Sequence, residues 1–99
     1  AWGHSGSMAT ISDIRLKENV EPITDALTKV QSLNGITFSY TESGGVSTGL
    51  IAQEVQAVLP EAVFETEDGY LSVAYGNMVG LLVESIKELT ARIEELENK

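Results

Sequence analysis

The chain has 99 residues, no cysteine and a formal net charge of −9, from 15 acidic and 6 basic side chains. This length fits one domain with a small core, which oligomerisation would help to stabilise. The composition excludes disulfides and cysteine nucleophiles and argues against binding of nucleic acid, which requires a basic face. The longest apolar run, residues 78–83, is far shorter than the ~20 residues of a membrane span.

The first eight residues, AWGHSGSM, are small and polar and end in a methionine. We expect residues 1–8 to be an expression-tag remnant outside the fold. The only histidine, His4, lies in this segment. A serine nucleophile elsewhere in the chain would therefore need a lysine or a carboxylate as its base.

The first regular elements are predicted between residues 22 and 52. Pro22 suits a first helical turn, apolar residues follow at helical spacing as far as Leu33, and Asn34-Gly35 ends the helix. ITFSY, residues 36–40, alternates apolar and polar residues and predicts a half-buried strand. The next residues, TESGGVSTG, predict a flexible turn, and LIA, residues 50–52, a second short strand.

A short helix, Gln53 to Leu59, is predicted next and ends at Pro60. Extended runs at Ala62–Glu65 and Tyr70–Ala74 flank Asp68-Gly69 and predict a β-hairpin. Together with the C-terminal helix described below, these elements give an α+β class: a small mixed domain of short strands and helices.

The C-terminal quarter carries a heptad pattern, with β-branched residues at a and leucines at d. The six seam positions are Val79, Leu82, Ile86, Leu89, Ile93 and Leu96. Arg92 then falls at g and Glu97 at e, positions that can pair between parallel helices. The alternative is an amphipathic helix packed on its own domain, but the chain offers little to cover the end of such a helix. We expect self-association through this helix, although this pattern favours dimers in model coiled coils.

The stretch SDIRLKENV places Ser12 and Lys17 five residues apart. The pair could be a nucleophile and its base, because a serine hydroxyl requires a base. Lysine accepts a proton only when neutral, its reference pKa is about 10.4, and apolar burial favours the neutral form. Leu16, together with subunit packing, could provide that burial. The alternative is that Ser12 and Asp13 are helix or turn caps, and spacing alone favours this alternative.

Three separated segments carry a resemblance to a known family. SDIRLKENV, GLIAQEVQAVLPEAV and YLSVAYGNMVGLLVESIKEL resemble, in order, the C-terminal intramolecular chaperone domain of bacteriophage tail spikes and fibres. This is the self-cleaving module of endosialidase-type tailspikes, and a related domain occurs in the myelin regulatory factor. The resemblance covers Ser12 to about Leu96. Ala74 departs from the pattern, since an acidic residue is expected there.

The resemblance implies a homotrimeric chaperone for an upstream fibre, in which the C-terminal helix forms a trimeric coiled coil. It also implies self-cleavage at the Ile11–Ser12 bond by a dyad of Ser12 and Lys17. Residues 9–11 would then belong to the upstream fibre, 12–75 to the chaperone and autoprotease domain, and 76–99 to the coiled-coil helix. A trimerisation domain without catalysis, or a module whose helix docks a host partner, are the alternatives.

Three further residues could belong to the site. Asn19, Gln53 and Glu54 lie in the family motifs and could orient the dyad or donate to an oxyanion. Turn bonding by Asn19 and helix capping by Gln53 and Glu54 are equally good explanations. Three tyrosines are expected in the core or at subunit contacts, namely Tyr40, Tyr70 and Tyr75.

No cofactor and no metal site is predicted. The acidic group around the hairpin turn, Glu65, Glu67 and Asp68, lacks ligand spacing and is expected to be a solvated loop. The expected partners are two further copies of the chain and the upstream fibre, with no nucleic acid and no membrane. Synthesis in the bacterial host cytoplasm during virion assembly, followed by release from the virion, would fit this role.

Overall fold

The computed structural model describes residues 9–99, so the predicted tag and His4 lie outside the described residues. The chain forms short helices and two antiparallel hairpins followed by one long helix, and the predicted α+β class is confirmed. The elements are α1 (Ala26–Gln31), β1 (Ile36–Ser39), β2 (Val46–Gly49), α2 (Ala52–Val58), β3 (Val63–Glu65), β4 (Leu71–Val73) and α3 (Val79–Glu97). Three 3-10 turns accompany them, at Ile14–Leu16, Pro60–Ala62 and Tyr75–Met78.

The core lies between the helices rather than under a sheet. Helix α1 packs along the first half of α3, and α2 closes the core together with the turn at Pro60–Ala62. The buried cluster consists of Ala26, Val55, Leu59, Ala62, Met78 and Leu81. Six small or medium side chains make a modest core, as expected for a chain of this length.

The first helix is shorter than predicted. Pro22 and Ile23 lie before it and Leu33 lies after it, so the prediction of a helix from Pro22 is wrong. Asp25 adopts a left-handed backbone conformation with φ of 53°, which no helix can continue through. The apolar residues at the two ends of this segment, Ile23 and Leu33, pack against the core although they are not helical. Their spacing therefore reflects contact with the core and not the extent of the helix.

The second strand was predicted in the wrong segment. Val46–Gly49, which lies in the segment predicted as a flexible turn, pairs with β1 in the register Ile36↔Gly49 to Ser39↔Val46. The turn is confined to the residues between Tyr40 and Gly45, with Gly44 at φ of 73°. LIA forms no strand, because Ala52 already begins α2. Strand β1 and the β3–β4 hairpin are confirmed.

The three tyrosines are exposed, so the core alternative for them is wrong, while a subunit contact stays a prediction. Tyr75 has a structural role nonetheless. Its hydroxyl accepts a hydrogen bond from the backbone N–H of Leu50 at 3.0 Å and lies against Gly49. This contact fastens the end of β2 to the turn that leads into α3.

Helix α3 presents two different faces. Leu81 and Ser85 are buried against the domain, and the Ser85 hydroxyl donates to the Leu81 carbonyl at 2.8 Å. The six predicted seam side chains are 46–67% exposed, and residues 89–99 are all exposed. The predicted helix is therefore confirmed, with a start at Val79, and its heptad seam is not used within the chain. No helix within residues 9–99 is long and apolar enough to span a membrane.

Candidate active site

Ser12 and Lys17 meet through a short turn. Lys17 Nζ lies 2.7 Å from Ser12 Oγ and donates a hydrogen bond to it. The intervening residues form a single 3-10 turn, in which the Leu16 N–H donates to the Asp13 carbonyl and the Lys17 N–H to the Ile14 carbonyl. This turn folds the chain back on itself, so two side chains five positions apart come into contact. The catalytic assignment of the pair stays a prediction.

Asp13 begins that turn. Its carboxylate accepts a hydrogen bond from the Arg15 backbone N–H at 2.9 Å, which is the geometry of a cap. The Arg15 guanidinium also donates to it, with Nη2 at 2.7 Å from Oδ2. The guanidinium, followed by the backbone N–H, lowers the pKa of Asp13 and in return raises the pKa of Arg15. The cap interpretation is thus confirmed for Asp13 and wrong for Ser12.

The surroundings of the pair are open in a single chain. Ser12 and Lys17 are both exposed, as are the apolar side chains of Ile11, Ile14 and Leu16. Apolar burial, which would favour a neutral lysine, is therefore not supplied by the part of the chain that the structure describes. The two side chains of the pair are thus in contact, but in a single chain they are exposed to water.

The other candidate residues do not join the pair. Asn19 adopts a left-handed conformation with φ of 54°. Gln53 lies inside α2, which Ile51 precedes as the cap residue without a side-chain bond, so capping by Gln53 and Glu54 is wrong. The Glu54 carboxylate accepts from Asn34 Nδ2 at 3.0 Å. Among residues 9–99 no hydrogen bond links Asn19, Gln53 or Glu54 to the pair, and no three possible ligands are grouped as a metal site.

Sequence reasoning missed Glu88. Its carboxylate accepts hydrogen bonds from the backbone N–H groups of Ala26 at 2.9 Å and Leu27 at 3.0 Å, across more than 60 positions of the chain. These two bonds, with the Leu27 N–H foremost, lower the pKa of Glu88, and the nearby charges of Arg92 and Lys29 add to the effect. The only signal in the sequence is its spacing from Leu81, which places an acid on the face of α3 that packs on the domain.

The comparisons with known proteins identify the class. The family model described as chaperone of endosialidase, which is named as a peptidase family, matches residues 12–64, more than half of the chain. The chain therefore belongs to the chaperone of endosialidase family. Membership supports a chaperone role. The match begins at Ser12 and includes the turn that brings Ser12 to Lys17.

Particular relatives agree with that assignment. The chain is 47% identical over 97 residues to the long tail fiber protein Gp37 of Enterobacteria phage K3, with 89% of this chain and 8% of that protein covered. The Gp37 of Enterobacteria phage T2 is also 47% identical over 97 residues, with 89% of this chain and 7% of that protein covered. Myelin regulatory factor homolog 1 of Caenorhabditis elegans is 33% identical over 107 residues, covering 96% of this chain and 11% of that protein. The chain thus spans about a tenth or less of these relatives.

Proposed function

We propose that the chain is a trimeric intramolecular chaperone that assists folding of an upstream tail-fibre polypeptide and then cuts itself free at Ile11–Ser12. The observation that carries the catalytic part is the 2.7 Å contact between Lys17 Nζ and Ser12 Oγ. The fibre as a partner is supported by the tail-fibre relatives, two of which are 47% identical. Synthesis in the host during virion assembly and later release from the virion belong to the same proposal.

The cleavage chemistry uses the chain's own residues. Neutral Lys17 accepts the hydroxyl proton of Ser12, and Oγ attacks the carbonyl carbon of Ile11, the residue directly before it. The C–N bond between the two residues breaks as the lysine returns the proton to the leaving amine, which leaves an ester between the Ile11 acyl group and Oγ. Water then hydrolyses the ester, so the products are an Ile11 carboxylate and a free Ser12 amino terminus.

The seam of α3 supports self-association, and the number of three subunits is taken from the resemblance to the family. Its side chains, Val79, Leu82, Ile86, Leu89, Ile93 and Leu96, are about half exposed in one chain and form a continuous apolar row. Contiguous exposed apolar surface of this kind marks an interaction site. Arg92 at g and Glu97 at e are five residues apart, the separation at which g and e residues pair between parallel helices in register.

Assembly and cleavage are linked by burial. The apolar side chains beside the pair, Ile11, Ile14 and Leu16, are exposed in a single chain, and neighbouring subunits would cover them in the trimer. Removal of this surface from water favours the neutral lysine that the mechanism requires. The pair is then active only after three chains have met, which makes cleavage a consequence of assembly.

The chaperone role would overcome the slow folding of fibre trimers. Intertwined β-rich trimers need three chains in register, and long-range pairing of this kind is slow and prone to misassembly. Three C-terminal helices held together raise the effective concentration of the fibre ends. Cleavage afterwards removes the assembly domain, so the mature fibre persists through a kinetic barrier to unfolding.

The test uses a chain that carries its upstream fibre. Mass spectrometry of the wild-type protein should show a product that begins at Ser12, while Ser12→Ala and Lys17→Ala should remain intact and trimeric. Ser39→Ala and Lys87→Ala, which change exposed residues of the same types elsewhere, should be cleaved like the wild type. An intact wild-type trimer would support a non-catalytic trimerisation domain instead, and a cut elsewhere would refute the assigned bond.

A further inference from the structure

Glu88 lies where α3 leaves the domain. It is half-buried, whereas every residue from Leu89 to the end of the chain is exposed. The free part of the helix, residues 89–97, is about 13 Å long at 1.5 Å per residue. Helical segments this short are marginal in water without packing partners. The domain therefore supports the helix up to Glu88, and the described part of a single chain gives no packing support beyond that residue.

Helix α1 depends on Glu88 for its first turn. The first amides of a helix have no partner within the helix, and the residue before α1, Asp25, makes no side-chain cap bond. The Glu88 carboxylate takes this place by accepting from Ala26 and Leu27. Just upstream, Ile23 packs over Gly80, where an added Cβ would lie 3.5 Å from Ile23 Cδ1. These three contacts hold the first turn of α1 and the residue Ile23 before it against α3.

That segment leads directly back to the candidate active site. Ile23 is six residues after Lys17, and among the described elements α1 is the first α-helix after the 3-10 turn that contains the pair. Between Lys17 and Ile23 the side chains are exposed and make no hydrogen bond within residues 9–99. The attachment at Ile23, Ala26 and Leu27 therefore limits how far the Ser12–Lys17 turn can lie from α3, because only five residues separate Lys17 from Ile23.

We propose that Glu88 is a positioning residue that couples assembly of the α3 helices to cleavage. The inference rests on the proposed function. Packing of the seam in a trimer supports the free end of α3 and fixes the helix at Glu88. The carboxylate then holds the start of α1, and with it the chain that leads to the Ser12–Lys17 pair, in one place beside the neighbouring subunits that bury the pair.

The test replaces Glu88 with glutamine in the fibre-bearing trimer. Ala26 and Leu27 donate to different carboxylate oxygens, and Glu88→Gln keeps the side-chain shape but replaces one of these oxygens with an NH2 group that donates, so one of the two bonds is lost in this geometry. Glu84→Gln is the matched control, because Glu84 is also half-buried on α3 but pairs with Lys87 at 3.2 Å instead of with α1. The measurements are the mass of the assembly, the rate of appearance of the Ser12 terminus, and amide exchange at Ala26 and Leu27. All are made well below the unfolding midpoint of each variant.

The expected result is specific to coupling. Glu88→Gln remains trimeric, is cleaved about tenfold more slowly or worse, as loss of a charge-assisted hydrogen bond predicts, and exchanges faster at Ala26 and Leu27. Exchange at Leu81 and the behaviour of Glu84→Gln stay as in the wild type. Normal cleavage by a trimeric Glu88→Gln would overturn the coupling while the proposed function stands. Equal acceleration of exchange at Leu81 would also overturn it, since that result describes general destabilisation. An uncleaved wild type would instead refute the proposed function.

Discussion

Two leucines of α3, Leu81 and Leu96, provide the sharpest test of what the helix is for. Leu81 has no exposed surface, whereas Leu96 is 67% exposed in the single chain. Both are in the same helix and lose the same atoms when replaced by alanine. Leu81 lies against the domain, whereas Leu96 lies on the predicted seam in the part of α3 beyond Glu88, so the two substitutions separate the stability of the domain from the stability of the assembly.

Leu81→Ala should destabilise the domain at every protein concentration. A buried leucine replaced by alanine costs about 2–5 kcal/mol. A domain of this length has a free energy of unfolding of about 5–15 kcal/mol, so the loss is a large fraction of the total. The unfolding midpoint should fall by at least about 8 °C, because 1 kcal/mol corresponds to roughly 4–8 °C in a domain of this size.

Leu96→Ala should behave in the opposite way. If the chain acted alone, a change at such an exposed position would alter its stability by no more than about 0.5 kcal/mol. In the proposed trimer the Leu96 side chain of each subunit would be buried at a d position, and loss of about 2 kcal/mol in each of the three chains corresponds to far more than a tenfold shift in the equilibrium constant. The concentration at which the assembly dissociates should therefore rise more than tenfold.

The assay combines sedimentation equilibrium with urea unfolding over a hundredfold range of protein concentration. Leu81→Ala should lower the urea midpoint throughout, and Leu96→Ala should lower it mainly at low concentration, where mass action favours separated chains. A Leu96→Ala protein with the wild-type mass and midpoint at all concentrations would refute the seam as an interface. Monomeric wild-type protein at high concentration would refute it as well.

Three further predictions follow from individual contacts. The pKa of Glu88 is lowered in the folded chain from about 4.5, so its contribution to stability is complete above that pH and is lost as the pH falls through the folded value. The difference in urea midpoint between wild type and Glu88→Gln should therefore be largest near pH 7 and vanish in acid. A difference that does not change with pH would contradict this prediction. Gly49→Ala should destabilise by about 1–3 kcal/mol because its Cβ meets the Tyr75 hydroxyl, and addition of Tyr75→Phe should recover part of this loss in a double-mutant cycle. Mass spectrometry of mixed trimers of Ser12→Ala and Lys17→Ala chains should show no cleavage, because the contact between Ser12 and Lys17 lies within one chain. A cleavage product from the Lys17→Ala chains would instead show that the pair acts across subunits.

Local chemistry predicted the elements whose signals are local. Asp68-Gly69 marked the β3–β4 hairpin because Gly69 adopts a left-handed φ of 86° that favours glycine. The heptad pattern predicted α3 over most of its length, since an apolar residue recurs every three or four positions from Val79 to Leu96. The position of β2 was missed because Val46–Gly49 is polar and glycine-rich, and its strand conformation is determined by pairing with β1.

Long-range contacts explain what sequence reasoning could not find. The start of α1 depends on a carboxylate from Glu88, more than 60 positions away, so no pattern around Pro22 could place it. The approach of Lys17 to Ser12 depends only on nearby residues, because a single turn capped by Asp13 brings together two side chains five positions apart. A contact of this kind can be predicted from the sequence. Sequence reasoning could not predict whether the pair is buried, because burial depends on contacts that residues 9–99 of a single chain do not supply.

The two faces of α3 have the same heptad spacing and are offset by one residue. The spacing alone therefore does not show whether the helix packs on its own domain or on another chain. The face toward the domain begins with a leucine and becomes polar and then charged toward the end, in the order Leu81, Ser85, Glu88, Arg92 and Glu95. The outer face stays apolar to the end, in the order Leu82, Ile86, Leu89, Ile93 and Leu96. A helix stabilised by its own domain alone would concentrate its apolar residues on the inner face. The larger apolar face of α3 points outward and extends past the domain, so the sequence of this helix is better explained by contact with other chains than by folding of a single one.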